Sequence, residues 1–219
     1  MARQSGDPGT AVSMLEAVVS DRTRLLGAHH LSTLTTRREL IRWRGEGGDV
    51  AGAVAELALL LADMEATIAR EHPDILGTRY ELARWRARAG DLPGATALLE
   101  DVLNSQNNVH GPTHPETLTT RTELASCLGA AGQATRAMNE LSDVLAVRTQ
   151  VLGPDHPDTL ATRSAIARWR GESGDPLGAY GDLEKLLKDC MHILGPRHPQ
   201  TAAVEHDIEY WRARRDSSG

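Results

Sequence analysis

Apolar residues recur along nearly the whole chain at helical spacing, in blocks that return every 42 residues. The stretch 156–197 shows the block most clearly. Leu160, Ile166 and Trp169 keep the spacing of an amphipathic helix. Gly174 interrupts that helix. A second run then places Ala179, Leu183, Leu186, Leu187, Cys190 and Leu194 on one stripe. The polar residues between the runs agree with this division. His156 precedes Pro157, and proline is favoured at the first helical position. Asp158 meets the positive end of the helix dipole. Gly174 is a left-handed stop, and Asp175 caps the next helix ahead of Pro176. Each block therefore predicts a helix of about 16 residues (A), a tight turn, and a helix of about 19 residues (B).

The period is strict. His30, His72, His114, His156 and His198 are each 42 residues apart. Trp43, Trp85, Trp169 and Trp211 stand 13 residues after their histidines, with Cys127 in that place in the third copy. A fixed period of this size marks a repeat array, in which each unit buries its apolar face against its neighbours. The expected fold is all-α: a right-handed α-solenoid (superhelix) of antiparallel helix pairs, about ten helices. The whole chain, 1–219, reads as one array. It comprises a B helix over 8–26, AB blocks over 30–71, 72–113, 114–155 and 156–197, and a terminal A helix over 198–215. Gly6-Asp7-Pro8 matches Gly174-Asp175-Pro176, which sets the start of the first helix. Its stripe of Ala11, Met14, Leu15, Val18, Val19, Leu25 and Leu26 wants an A helix that the chain does not supply. The last helix carries Glu205, His206, Asp207, Glu209, Arg212, Arg214 and Arg215, a polar face suited to a cap.

Composition narrows the function. Phe is absent and aromatic residues make up 3%, so Ala and Leu must fill a closely packed helical interior. A formal net charge of −6 argues against nucleic acid as a partner, since that needs a basic footprint. Cys127 and Cys190 are isolated, which points to a reducing compartment and the cytoplasm. No apolar run has the roughly 18 residues of a membrane span, and Met1 to Asp7 holds no apolar signal core. Of the basic residues only Lys185 and Lys188 are lysines. Arginine forms forked hydrogen bonds with carboxylates where lysine acts as a point charge.

Ile166 and Ala167 on helix A, Gly174 at the turn and Ala179 on helix B resemble the signature of the tetratricopeptide repeat. The 42-residue length and the linker Leu152-Gly153-Pro154-Asp155-His156-Pro157-Asp158-Thr159-Leu160 resemble the long form found in kinesin light chains. The resemblance covers about residues 6–215. It implies a bacterial, and by composition actinobacterial, protein-interaction scaffold. It also suggests a sensor module for a STAND-type signalling ATPase or a transcription regulator. Departures are clear as well. Arg44, Arg86, Arg170 and Arg212 stand where the family usually has Tyr. Leu31 replaces the expected proline in copy one, and Ile68-Ala69-Arg70-Glu71 replaces the Leu-Gly-Pro-Asp linker in copy two.

No enzyme motif or cofactor signature is present, so no catalytic residue and no cofactor is expected. One histidine per repeat leaves neighbours of order 10–20 Å apart, too far to share a metal ion. The histidines are expected to start the A helices, and the tryptophans to lie in the core. Cys127 is expected to be a small buried apolar residue. The row Arg37, Arg79, Arg121 and Arg163 is expected to pair with carboxylates. The resemblance places a groove along a second row, Arg42, Arg84, Ser126, Arg168 and Tyr210. It adds Arg38, Tyr80, Thr122, Ser164 and His206 one turn earlier. Such a groove would take an acidic segment of a protein or peptide. The third copy, with its small Thr122, Ser126 and Ala130, suggests a notch between Arg84 and Arg168 for a bulky side chain of that segment; neutral drift of one repeat is the equal alternative. Self-association through the helix over 8–26, giving a homo-oligomeric scaffold, is the remaining alternative.

Overall fold

The computed structural model describes residues 8–216; Gly6 and Asp7, which the sequence places ahead of the first helix, lie outside them. Ten helices make up the described residues. They are α1 (Pro8–Leu26), α2 (Leu31–Glu46), α3 (Val50–Glu65), α4 (Pro73–Arg88), α5 (Leu92–Val109), α6 (Pro115–Ala130), α7 (Ala134–Leu152), α8 (Pro157–Glu172), α9 (Pro176–Ile193) and α10 (Pro199–Asp216). The even-numbered helices are A and the odd-numbered are B.

Each A helix begins at its histidine. The backbone of His156 is extended (φ −67°, ψ 138°), and its Nδ1 accepts a hydrogen bond from the Asp158 amide at 3.1 Å. His30, His72, His114 and His198 make the same bond to Ser32, Asp74, Glu116 and Gln200 at 3.2–3.3 Å. Imidazole thus does the work usually done by Ser or Asp at an N-cap. Copy one keeps the cap although Leu31 stands in place of proline. The B helices are capped by carboxylates: Asp49 and Asp175 accept from Gly52 and Gly178 at 2.9 and 2.8 Å. Gln133, at the same place, makes no side-chain cap bond.

The joint from B to the next A uses a second glycine. Gly153 has φ +93°, a conformation that few other residues tolerate, and its carbonyl accepts from the Thr159 hydroxyl at 2.9 Å. The pairs Gly27 with Thr33, Gly111 with Thr117 and Gly195 with Thr201 repeat the joint, each at 2.9 Å. Copy two has Ala69 and Ile75 in these places, and its joint is different. Helix α3 stops at Glu65, 16 residues long against the expected 19 or so. Ile68 then folds against the core, and Ile75 is fully buried. An apolar anchor thus replaces the glycine turn and its hydroxyl bond together.

The chain divides into two compact units, one holding α1 to α5 and the other α6 to α10. Within each unit every helix packs on the next in sequence. A helices also touch the following A helix, α2 with α4 in the first unit, and α6 with α8 and α8 with α10 in the second. No B helix touches another B helix among the described residues. The A helices therefore lie on the tighter side of each unit.

Tryptophan and glycine set that approach. Gly45 of α2 sits flat against the Trp85 indole of α4, and a Cβ at Gly45 would lie 2.6 Å from the ring. Gly129 faces Trp169 and Gly171 faces Trp211 in the same way. Trp85, Trp169 and Trp211 are buried in consequence. Trp43 departs from the expected core position: it is only half-buried, and no glycine approaches it among the described residues. Ile166 is likewise half-buried, while its neighbours Ala167 and Trp169 carry the core.

Substitutions at Gly45, Trp85 and His156 test these determinants. Gly45→Ala in a helix interior should add about 1 kcal/mol by propensity alone. Here the Cβ collides with Trp85, and urea unfolding should show a net loss of about 1–3 kcal/mol. Trp85→Leu in the same chain should cancel most of that loss; additivity of the two changes would show that they do not touch. His156→Ala should cost about 1 kcal/mol, and His156→Asn, which can still accept from the amide, should cost much less.

Candidate binding surface

The arginine rows separate cleanly by partner. Arg37 reaches Asp63 at 3.1 Å and Arg163 reaches Asp189 at 2.7 Å, each on the B helix of its own pair. Arg121 takes Glu140 at 3.0 Å and Asp143 at 3.6 Å. Arg79, 3% exposed, lies between Glu65 and Asp101 on the two B helices that flank α4. These side chains join helices A and B. The row that replaces the family's Tyr behaves alike. Arg44 bridges Glu16 and Glu56, both at 2.9 Å, and the Glu16 hydrogen bond is the largest influence raising its pKa. Arg170 holds Asp175 and Asp182, each at 2.7 Å. The Gly178 amide, and then Arg170, keep Asp175 below the usual carboxylate range.

Eight of the ten residues expected to line a groove fall into three groups. Some are used between neighbouring A helices. Arg38 donates to the Asp74 carbonyl at 3.3 Å and lies 3.8 Å from Glu81, and Ser164 donates to Asp207 at 3.2 Å. Tyr210 donates to Glu172 at 3.3 Å. Others turn back on their own helix. Thr122 and Ser126 donate to the carbonyls of Leu118 and Thr122, and Arg42 pairs with Glu39 at 2.6 Å. Tyr80 is half-buried and His206 exposed. The third group is Arg84 and Arg168. Both are exposed, and among the described residues neither has a carboxylate within 4 Å. Every other arginine of α2, α4, α6 and α8 has one.

Arg84 stands over a pocket of about 70 Å³ in the first unit, walled by Arg42, Glu46, Glu81, Trp85 and Arg88. Arg88 closes one side, stacked 4.4 Å from the Trp85 ring and paired with Glu46 at 3.1 Å. Burial raises the pKa of Glu81, against the opposing charge of Arg38. In the second unit Arg168 lies 4.9 Å over the Trp169 ring and borders a shallow pocket with Ala161, Ser164, Ala165 and Asp207. The ring beneath the Arg168 guanidinium holds it flat, ready for a planar anion.

Neither cysteine is activated as a nucleophile. Burial, and then the charge of Glu123, push the Cys127 thiol up to about 11, and burial raises Cys190 as well. A thiol so far above neutrality is not a thiolate. No three His, Cys, Asp or Glu side chains among the described residues converge to hold a metal ion. No described helix is long and apolar enough to cross a membrane. A feature that the sequence reading did not single out is Arg148, 6% exposed, which donates to the Asp158 carbonyl at 3.2 Å and to Thr162 at 2.8 Å. Arg22 makes the same link to Ser32 and Thr36, so an arginine every third repeat was the available signal.

Comparison with known proteins agrees with this geometry. A family model described as tetratricopeptide repeat matches residues 74–148. The structure of a kinesin-light-chain-type protein of Podospora anserina, with nearly identical TPR-like repeats, superposes with a TM-score of 0.75 at 32% identity, over 86% of this chain and 89% of that one. BtubC (BKLC) from P. vanneervenii superposes at 0.71 with 17% identity, over 98% and 92% of the two chains. A Rap protein complexed with Competence and Sporulation Factor superposes at 0.67 with 9% identity, over 100% of this chain and 62% of that one. These last two share the fold. No curated protein sequence gives a significant match. By its phased helix pairs and its likeness to the kinesin-light-chain-type repeats, the chain belongs to the tetratricopeptide repeat family.

Proposed function

We propose that this chain is a protein-binding scaffold that takes an acidic segment of a partner against the A-helix faces. Tetratricopeptide arrays are protein-interaction modules, and the Rap protein of the same fold was solved with a bound factor. One observation carries the finer reading. Among the described residues the A helices before α10 have a carboxylate within 4 Å of every arginine except Arg84 and Arg168, and these two lie exposed, Arg84 at the pocket walled by Trp85 and Arg168 over the Trp169 ring. An exposed guanidinium with no carboxylate within 4 Å is the group that a carboxylate binds by a fork of hydrogen bonds. Neighbouring carboxylates, Glu46 and Glu81 in the first unit and Asp207 in the second, would limit how many acids each face accepts. Affinity then comes from a few charge-assisted contacts on a preformed surface.

Selection of peptides from a random display library on the intact chain tests this reading. Enriched sequences should carry clustered Asp and Glu, and their binding should weaken as salt rises. Arg84→Glu with Arg168→Glu should lower affinity by about tenfold or more per charge reversed, roughly 1.4 kcal/mol each. Peptides without acids, or binding indifferent to the double variant, would sink it.

The pocket also makes a pH prediction. Glu81 is protonated in both folded and unfolded chains below its ordinary value of 4.5. As pH rises through that value toward its raised folded one, the folded chain loses stability, because the unfolded chain ionises first. Glu81→Gln removes that loss. Its stability gain over the parent should be present at neutral pH and vanish at acid pH, as denaturation midpoints across a pH series would show.

A further inference from the structure

One contact between consecutive A helices occurs in both units. In the first, Arg38 of α2 approaches Glu81 of α4, and Gly45 of α2 lies against Trp85. In the second, Ser164 of α8 donates to Asp207 of α10, and Gly171 lies against Trp211. The receiving helix thus offers a carboxylate and, four residues on, an indole. The giving helix offers a polar donor and, seven residues on, a glycine.

Helix α2 carries the receiving pair as well, in Glu39 and Trp43. Among the described residues no helix gives to it. Glu39 turns to Arg42 of its own helix, and Trp43 is half-buried with no glycine against it. The neighbouring α1 is open at the same edge. Val18 is 39% exposed, whereas its counterparts Leu60, Val102, Val144 and Leu186 are at most 1% exposed. Leu15 is half-buried, whereas Leu57 at the same register is fully buried. Between α1 and α2 lies an open groove of about 270 Å³ whose wall includes Leu15, Val18 and Glu39.

We infer that this edge is a docking site for one amphipathic helix of a partner. The occupant's chemistry follows from the seats that are filled. Helix α2 presents Leu34, Arg38, Ile41 and Gly45 to its surroundings, and α8 presents Leu160, Ser164, Ala167 and Gly171 at the same spacing. The docking helix carries Leu to fill the groove over Leu15 and Val18, as Leu34 joins Leu57 and Leu60 in one core. It carries a basic residue four positions on, to meet the Glu39 carboxylate. It carries a small or branched apolar residue three further on. Glycine follows four after that, because a backbone without Cβ is what lies against this indole elsewhere.

The α10 helix of a second copy does not meet this description. Ala202 stands at the Leu34 register, and Glu209 stands where Ile41, Ala83, Ala125 and Ala167 are buried. Glu205 would replace the arginine that reaches the Asp63 register, occupied by Asp21 in α1. By size and charge, then, α10 is not the helix that this seat takes.

The test uses the intact chain and a labelled 16-residue peptide with the α2 sequence, stapled on its solvent face so that it is helical. Fluorescence anisotropy should show saturable binding of one peptide per chain. Gly45→Leu in the peptide should abolish it. Glu39→Arg in the chain should weaken it by about tenfold or more, and Arg38→Glu in the peptide should restore binding to that variant. Glu39 is partly exposed, so its reversal leaves the fold intact, which circular dichroism verifies. Light scattering should find the free chain monomeric. Absence of binding, indifference to Gly45→Leu or to the charge swap, or a dimer that Val18→Glu disperses would each overturn the inference. The last outcome would assign the edge to a second copy. None of them bears on Arg84 and Arg168.

Discussion

The approach of a helical glycine to a tryptophan ring fixes how closely neighbouring A helices lie. A tryptophan is too large to sit between two helices that both carry side chains at their contact. It fits here because the facing helix gives up its Cβ at Gly45, Gly129 and Gly171. A glycine in a helix interior is destabilising by roughly 1 kcal/mol. Burial of most of an indole offsets that cost, since fully burying one large apolar side chain is worth about 1.5–3 kcal/mol. The A helices then meet while the B helices of the same unit do not, and each unit curves toward its A side.

That geometry also decides which arginines are free. Those pointing from A toward B meet carboxylates on helices that are always within reach, as Arg37, Arg121 and Arg163 do. Arg38 points along the A side and is caught by the next A helix. Arg84 and Arg168 project from the A side itself, where the chain supplies no carboxylate within 4 Å among the described residues, and each extends beside a tryptophan. A net charge of −6 conceals this, because it sums over the whole chain. Local pairing, and not net charge, sets what such a surface attracts at the separations of a bound side chain.

Sequence made the helices legible because each boundary carries its own chemical mark. The histidine before proline, the glycine at the turn and the aspartate after it are local devices, and they act without knowledge of the rest of the fold. The copy-two joint was less legible. Ala69 and Ile75 each read as a drifted residue, yet they exchange as a pair, since the hydroxyl of Thr159 has meaning only with the Gly153 carbonyl in place. Such coupling is spatial, and a single sequence shows it only where several copies can be compared. The helical glycines were hidden for a similar reason. Gly45 and Gly171 follow Trp43-Arg44 and Trp169-Arg170 and read as weak points of their own helices. Their purpose lies in the next repeat, 40 residues on, at Trp85 and Trp211.

Register alone places the candidate surface residues on shared faces, and the structure adds what each side chain reaches. A register identifies which residues share a face, but an arginine side chain spans the distance to a neighbouring helix. Arg38 and Arg42 share a face one turn apart; the first serves the next repeat and the second is held by Glu39. Ser126 cannot reach outward at all and bonds to the Thr122 carbonyl behind it. What a position presents to a partner is therefore what remains after the fold has taken its own contacts. On these helices the fold satisfies its arginines wherever a carboxylate stands one helix away. Arg84 and Arg168 are left by the absence of one, which makes them a consequence of placement that no property of the residue itself would reveal.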